Sequence, residues 1–161
     1  CDIADLSQID RMQARVKHVD VLINNAGFEY ITPIADPSDR IDEIFRRIIE
    51  INVIGTFSVT RQLLDKIADG GRIVNTASMW GKTAVAEFSA YCASKHAVIG
   101  LTRSLAQELR QPRRAQGGAA GAPGPLLSAG PRTALVFYSH PGLASCASYY
   151  ISSRPQDPTM L

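Results

Sequence analysis

The chain is poor in residues that often announce a function. It carries three cysteines, Cys1, Cys92 and Cys146, odd in number, far apart and without C-x-x-C spacing. Such usage argues against a disulfide framework, offers no structural metal site, and fits a reducing cytoplasm. Neither sign of charge dominates, with 17 Lys and Arg against 15 Asp and Glu and a net charge of +2. No nucleic-acid or polyanion footprint is therefore expected. No run approaches the roughly 20 apolar residues of a membrane span. No basic-then-apolar leader opens the sequence, so no membrane role and a cytoplasmic location are expected.

What is present divides near Arg110. Residues 1–110 show clean apolar periods, whereas Arg110 to Thr133, "RQPRRAQGGAAGAPGPLLSAGPRT", is rich in Gly, Ala, Pro and Arg with no period. Residues 111–161 are thus expected to be an atypical tail, frame-shifted or disordered.

In the first part, "VDVLINNAG" (Val19 to Gly27) and "RIVNTAS" (Arg72 to Ser78) read as buried parallel strands opening into loops. Between them Ile41, Phe45, Ile48, Ile49, Val53, Phe57, Leu63 and Leu64 share one helical face, with Asp36 to Asp39 as N-cap candidates. Ala4 to His18 reads as an earlier amphipathic helix, and a small-residue helix runs from Ala90 to Leu109. Helix, strand, helix, strand, helix implies βαβ units on a parallel sheet. The fold class expected is α/β: a Rossmann-like doubly wound parallel sheet with helices on both faces. "CDIADL" at the start looks like a strand end, so the sheet is expected to be incomplete at its N-terminus.

Each chemical feature is weak alone. Tyr91 and Lys95 at i, i+4 share a helical face, as many surface pairs do. Ser78 after a strand can be a cap, Asn52 in an apolar helix can satisfy backbone, and "NNAG" can be a turn. Together they converge. Asn24 to Gly27 and Ser78 lie at strand ends, which meet in one crevice at the carboxyl edge of an open parallel sheet.

"VDVLINNAG", "IEINVIGTFSVTR", "RIVNTASMWG" and "YCASKHAVIGLTRSLAQEL" resemble the successive signature blocks of the short-chain dehydrogenase/reductase family, over residues 1 to about 110. The flavour is that of classical members resembling 3-oxoacyl-(acyl-carrier-protein) reductase. The resemblance implies an NAD- or NADP-dependent oxidoreductase passing a hydride between nicotinamide and a small carbonyl or alcohol substrate. Tyr91 would be the general acid or base. Lys95 would lower its pKa and hold the nicotinamide ribose, Ser78 would hold the substrate oxygen, and Asn52 a water that renews the proton. Asp2 and Ile3 would meet the adenine, Asn24, Ala26 and Gly27 the adenosine ribose, and Thr76 and Ala77 the nicotinamide. Asn24 and Asn25 could equally tie the central strands together. Phe28, Met79, Trp80 and Phe88 stand where substrate contacts would be, and also where core packing would place them. Cys92 and His96 receive no role. A homodimer or homotetramer through the Asn52 and Tyr91 helices is implied.

Two departures from the family pattern stand out. The Gly-rich phosphate-binding turn and the following strand are absent, and no apolar strand precedes Ala122 to Pro125. Leu143 to Ser153 faintly echoes the family's terminal helix and strand. A fragment is expected, one that binds cofactor poorly alone. The other reading is a truncated, non-catalytic product or interaction subunit.

Overall fold

The computed structural model describes residues 1–109 and, further along the chain, the strands at 133–138 and 148–150. The elements run α1 (Leu6–Gln13), β1 (Val19–Asn24), α2 (Arg40–Ile49), a π-helical segment (Glu50–Gly55), α3 (Thr56–Leu63), β2 (Ile67–Ala77), a 3-10 turn (Met79–Gly81), α4 (Ser89–Glu108), β3 (Thr133–Tyr138) and β4 (Ser148–Tyr150). The sheet order is β1-β2-β3-β4. The first three strands are parallel, and β4 is antiparallel to β3.

Strand β2 is longer than its apolar run predicts. Its regular ladder with β1 begins where expected, at Val21 opposite Arg72, and runs to Asn24 opposite Asn75. Ile67 pairs with Val19 beyond an irregularity that absorbs the Gly70–Gly71 step. Helix α1 is shorter than its periodicity suggests. The Asp5 carboxylate accepts from the amides of Ser7 and Gln8, which fixes the start at Leu6.

The predicted helix from Ile41 to Leu64 is continuous but not uniform, because a π-helical turn joins its two α-helical parts. Ile48, Val59 and Leu63 are buried, while Phe45 and Phe57 are 37% and 42% exposed. The N-cap expectation fails in its chemistry. Asp39 precedes the helix without a side-chain cap bond, and Asp36 instead accepts from the Ser38 amide at 2.9 Å, shaping the turn before it.

Ile9, Leu22, Val59, Leu63, Ile67 and Ile73 form the main apolar cluster, and Ala77, Val98 and Ile99 a second beneath α4. Polar groups cross the same face. Asn24 Nδ2 donates to Thr60 Oγ1 at 2.9 Å and Asn75 Oδ1 at 2.8 Å, and Asn75 Nδ2 donates to Thr102 Oγ1 at 2.9 Å. One buried relay thus ties α3, β1, β2 and α4 together. Among the described residues these helices cover one face of the sheet. On the other, Val21 and Ile23 are 49% and 62% exposed, so the expected second helical layer is not among the described residues.

Strands β3 and β4 fall within residues 111–161. The β-branched and aromatic run "TALVFY" accounts for β3, which the surrounding Gly, Ala and Pro hide at the level of composition. Ala122 to Pro125, Cys146 and most of Leu143 to Ser153 lie outside the described residues.

Candidate active site

Parallel strands deliver their carboxyl ends to one edge, and here β2 delivers Thr76, Ala77 and Ser78. Lys95 reaches that edge from α4. Its Nζ donates to the Thr76 carbonyl at 3.0 Å, and the side chain is only 5% exposed. Tyr91 lies one turn earlier on the same helical face, half-buried, with Lys95 Nζ 5.4 Å from its ring centre. The Ser78 hydroxyl lies near enough to the Tyr91 phenol to favour its ionised form, and it accepts from the Trp80 amide at 3.3 Å. Serine, tyrosine and lysine thus gather at one edge of the sheet.

The aromatic residues flank this group. Trp80 meets Tyr91 edge-on at 5.8 Å and Phe88 at 5.0 Å, an arrangement favoured by the ring quadrupoles. Behind them the 3-10 turn lies flat on α4. A β-carbon at Gly81 would stand 2.8 Å from the Lys95 carbonyl oxygen, so only glycine permits this approach.

The electrostatics correct one expectation. Tyr91 is not lowered by Lys95. Burial pushes the phenol above its usual value, the Glu29 carboxylate adds to the rise, and the nearby Ser78 hydroxyl opposes it. The geometry explains this, because the ammonium addresses the ring and the Thr76 carbonyl rather than the hydroxyl. Burial also pushes Lys95 down, from 10.5 to about 8, against the pull of Glu29.

Asn52 sits in the π-helical segment, 1% exposed. Its Oδ1 accepts from the Phe28 amide at 2.7 Å, and its Nδ2 donates to the Phe28 carbonyl and Ser94 Oγ, both at 2.9 Å. Both amide hydrogens are therefore committed, and the side chain clamps the loop after β1 onto α4. What remains for a water is a space over Gly27. A β-carbon there would lie 3.4 Å from Asn52 Oδ1 and 3.7 Å from Lys95 Nζ, a polar cradle that glycine leaves free.

The other anticipated residues scatter. Asn24 belongs to the relay across the sheet, which decides its side chain in favour of tying strands. Asn25 Oδ1 accepts from Thr76 Oγ1 at 3.0 Å. Ala26 is exposed in the same loop, and Met79 is half-buried. The Asp2 carboxylate is held by Arg47 at 2.7 Å and the Ala4 amide at 2.9 Å, and Ile3 packs on Gly55. No described contact joins Asp2 or Ile3 to the Tyr91 group. Cys92 is buried, and His96 Nδ1 bonds its carbonyl at 2.9 Å, away from the site. Among the described residues no cluster of three or more His, Cys, Asp and Glu could hold a metal.

Sequence reasoning missed Glu29, Thr32, Gly81 and Ser94. None belongs to a periodic pattern, and Glu29 and Thr32 stand in a loop whose path is set by the clamp from Asn52.

A family model described as "short chain dehydrogenase" matches residues 1–114. A putative ketoacyl reductase of Streptomyces coelicolor is 40% identical over 119 residues, covering 68% of this chain and 44% of that protein. A 4-hydroxyisoleucine dehydrogenase solved with NADH and succinate superposes with a TM-score of 0.60 at 35% identity, over 68% of this chain and 53% of that one. A short chain dehydrogenase from Shigella flexneri solved with NADP gives 0.59 at 27% identity, over 66% and 46%. The chain spans less than half the length of the first curated relatives it matches.

Proposed function

The chain belongs to the short chain dehydrogenase family, and on that premise we propose that its protein is an NAD- or NADP-dependent oxidoreductase acting on a small carbonyl or alcohol. The observation that carries the reading is the meeting of Ser78, Tyr91 and Lys95 at the carboxyl edge of β2. The nicotinamide cofactor, when bound, supplies or receives the hydride.

Each residue then has a task. Tyr91, kept protonated by burial and Glu29, donates its phenolic proton to the carbonyl oxygen during reduction. Ser78 Oγ donates to the same oxygen and steadies its developing charge. Lys95 holds the end of β2 through Thr76 and, with a pKa of about 8, exchanges protons near neutrality. The space over Gly27 suits a water or a ribose hydroxyl between Asn52 Oδ1 and Lys95 Nζ. Thr76, Ala77, Ala26 and Gly27 border the cofactor, and Trp80, Phe88 and Met79 the substrate. Two structural relatives were solved with a nicotinamide cofactor, NADH in one and NADP in the other.

Exposed Ile54 and Phe57 beside the Asn52 segment support a homodimer or homotetramer through these helices. No described helix is long and apolar enough to cross a membrane, and the reading adopted is a cytoplasmic enzyme. Open Val21 and Ile23 favour a second reading, that this chain alone is an incomplete, non-catalytic piece.

The test is oxidation of NADH and NADPH against a panel of ketones and aldehydes, with Tyr91→Phe as control. Turnover unchanged in that variant would remove the mechanism.

A further inference from the structure

Helix α4 presents Tyr91 from its first turn, the part of a helix most prone to fray. The start is poorly supplied by its own neighbours. Phe88 occupies the N-cap position without a side-chain cap bond, and Glu87 before it has a φ of 65°, uncommon for a residue with a side chain. The missing bonds come from far away in sequence. Thr32, 1% exposed, lies in the loop after β1. Its Oγ1 accepts from the Ala90 amide at 3.2 Å and pairs with Ser89 Oγ at 3.0 Å, and its carbonyl accepts from Ser89 Oγ at 3.2 Å. Its amide donates to the Glu87 carbonyl, and the backbone bridges in parallel to Phe88.

We propose that Thr32 is a positioning residue for Tyr91: it caps the helix in trans and so fixes the phenol against Ser78 and Lys95. The loop carrying it is itself fixed, because Asn52 holds Phe28 at one end while Thr32 holds Ser89 and Ala90 at the other. One loop thus sets the depth at which the Tyr91 ring enters the site. The inference rests on the reading of Tyr91 as proton donor.

The test compares Thr32→Val, which keeps the volume and removes the acceptor, with Thr32→Ser, which keeps the acceptor. Three quantities are read: hydrogen exchange at the Ala90 amide, the phenol titration of Tyr91 by ultraviolet difference against Tyr91→Phe, and kcat with KM. In Thr32→Val, Ala90 exchange should quicken about fivefold or more, the phenol titration should move, and kcat should fall about 10-fold to 100-fold with KM little changed. Thr32→Ser should restore all three. Unmoved titration and kcat in Thr32→Val, or a Thr32→Ser variant as impaired as valine, overturns the proposal. If Thr32→Val does not fold, Ser89→Ala cuts one of the same bonds, the pair between Thr32 Oγ1 and Ser89 Oγ, together with the Ser89 bond to the Thr32 carbonyl, and must move the phenol titration; failure to do so overturns the proposal. If the wild type turns over no carbonyl, the function proposed above falls, while exchange and titration still decide the role of Thr32.

Discussion

The Lys95 ammonium donates to the Thr76 carbonyl at 3.0 Å, so a nearly buried cation on α4 holds the end of β2. Burial pushes its pKa from 10.5 down to about 8. Between those values the unfolded chain holds a proton that the folded chain has released, so stability rises with pH across that window. Below about pH 8 the charged form is carried at a cost of roughly 3 kcal/mol. Lys95→Met should therefore lose activity yet gain stability at neutral pH, less the lost bond to Thr76. Urea unfolding at pH 7, 8 and 9 checks this; a wild-type stability that falls steadily over that range contradicts it.

Tyr91→Phe removes the donated proton while keeping the ring against Trp80. Carbonyl reduction should drop by about 10²–10⁴, with the unfolding midpoint close to wild type. Circular dichroism melts beside steady-state rates separate the two effects.

Glu29 raises the proton affinity of both Tyr91 and Lys95. Glu29→Gln should lower both, moving the limbs of the pH profile of kcat/KM toward lower pH. Because Glu29 is exposed, high salt should reproduce part of that displacement in the wild type. A profile that moves in neither experiment shows that Glu29 does not act on the site.

Two glycines give opposite expectations. Gly81→Ala would drive a methyl within 2.8 Å of the Lys95 backbone, costing about 1–3 kcal/mol and disturbing turnover. At Gly100, within α4, an added methyl would meet nothing within 4 Å, so Gly100→Ala should stabilise by up to about 1 kcal/mol. Chemical unfolding of both variants tests the pair.

The strands and helices of residues 1–109 are legible in the sequence because apolar periods of two and of 3.6 report burial directly. Tyr91, Lys95 and Ser78 are legible because their spacing reflects one helical turn and one strand end. What escapes depends on contacts distant in sequence. Asn52 reads as a water ligand, yet both its amide hydrogens are spent on Phe28 and Ser94. Thr32 is 57 and 58 residues from Ser89 and Ala90, and nothing local marks it. The direction of the Tyr91 pKa is hidden because adjacency on a helix says that Lys95 is near, not which part of the ring it faces.

The π-helical turn at Glu50–Gly55 gives this long helix a point of slack in chain length. Such a turn holds one residue more than an α-helical turn. Deleting a single residue there, such as exposed Ile54, would let the segment relax to an ordinary α-helix while the helix beyond keeps its phase. Thr60 would stay on Asn24, and Val59 and Leu63 on the sheet. The same deletion within α3 has no surplus to draw on and would rephase everything after it by about 100°. A residue can be dropped at the turn without losing step, but one lost a few positions later is a gear slipped by one tooth.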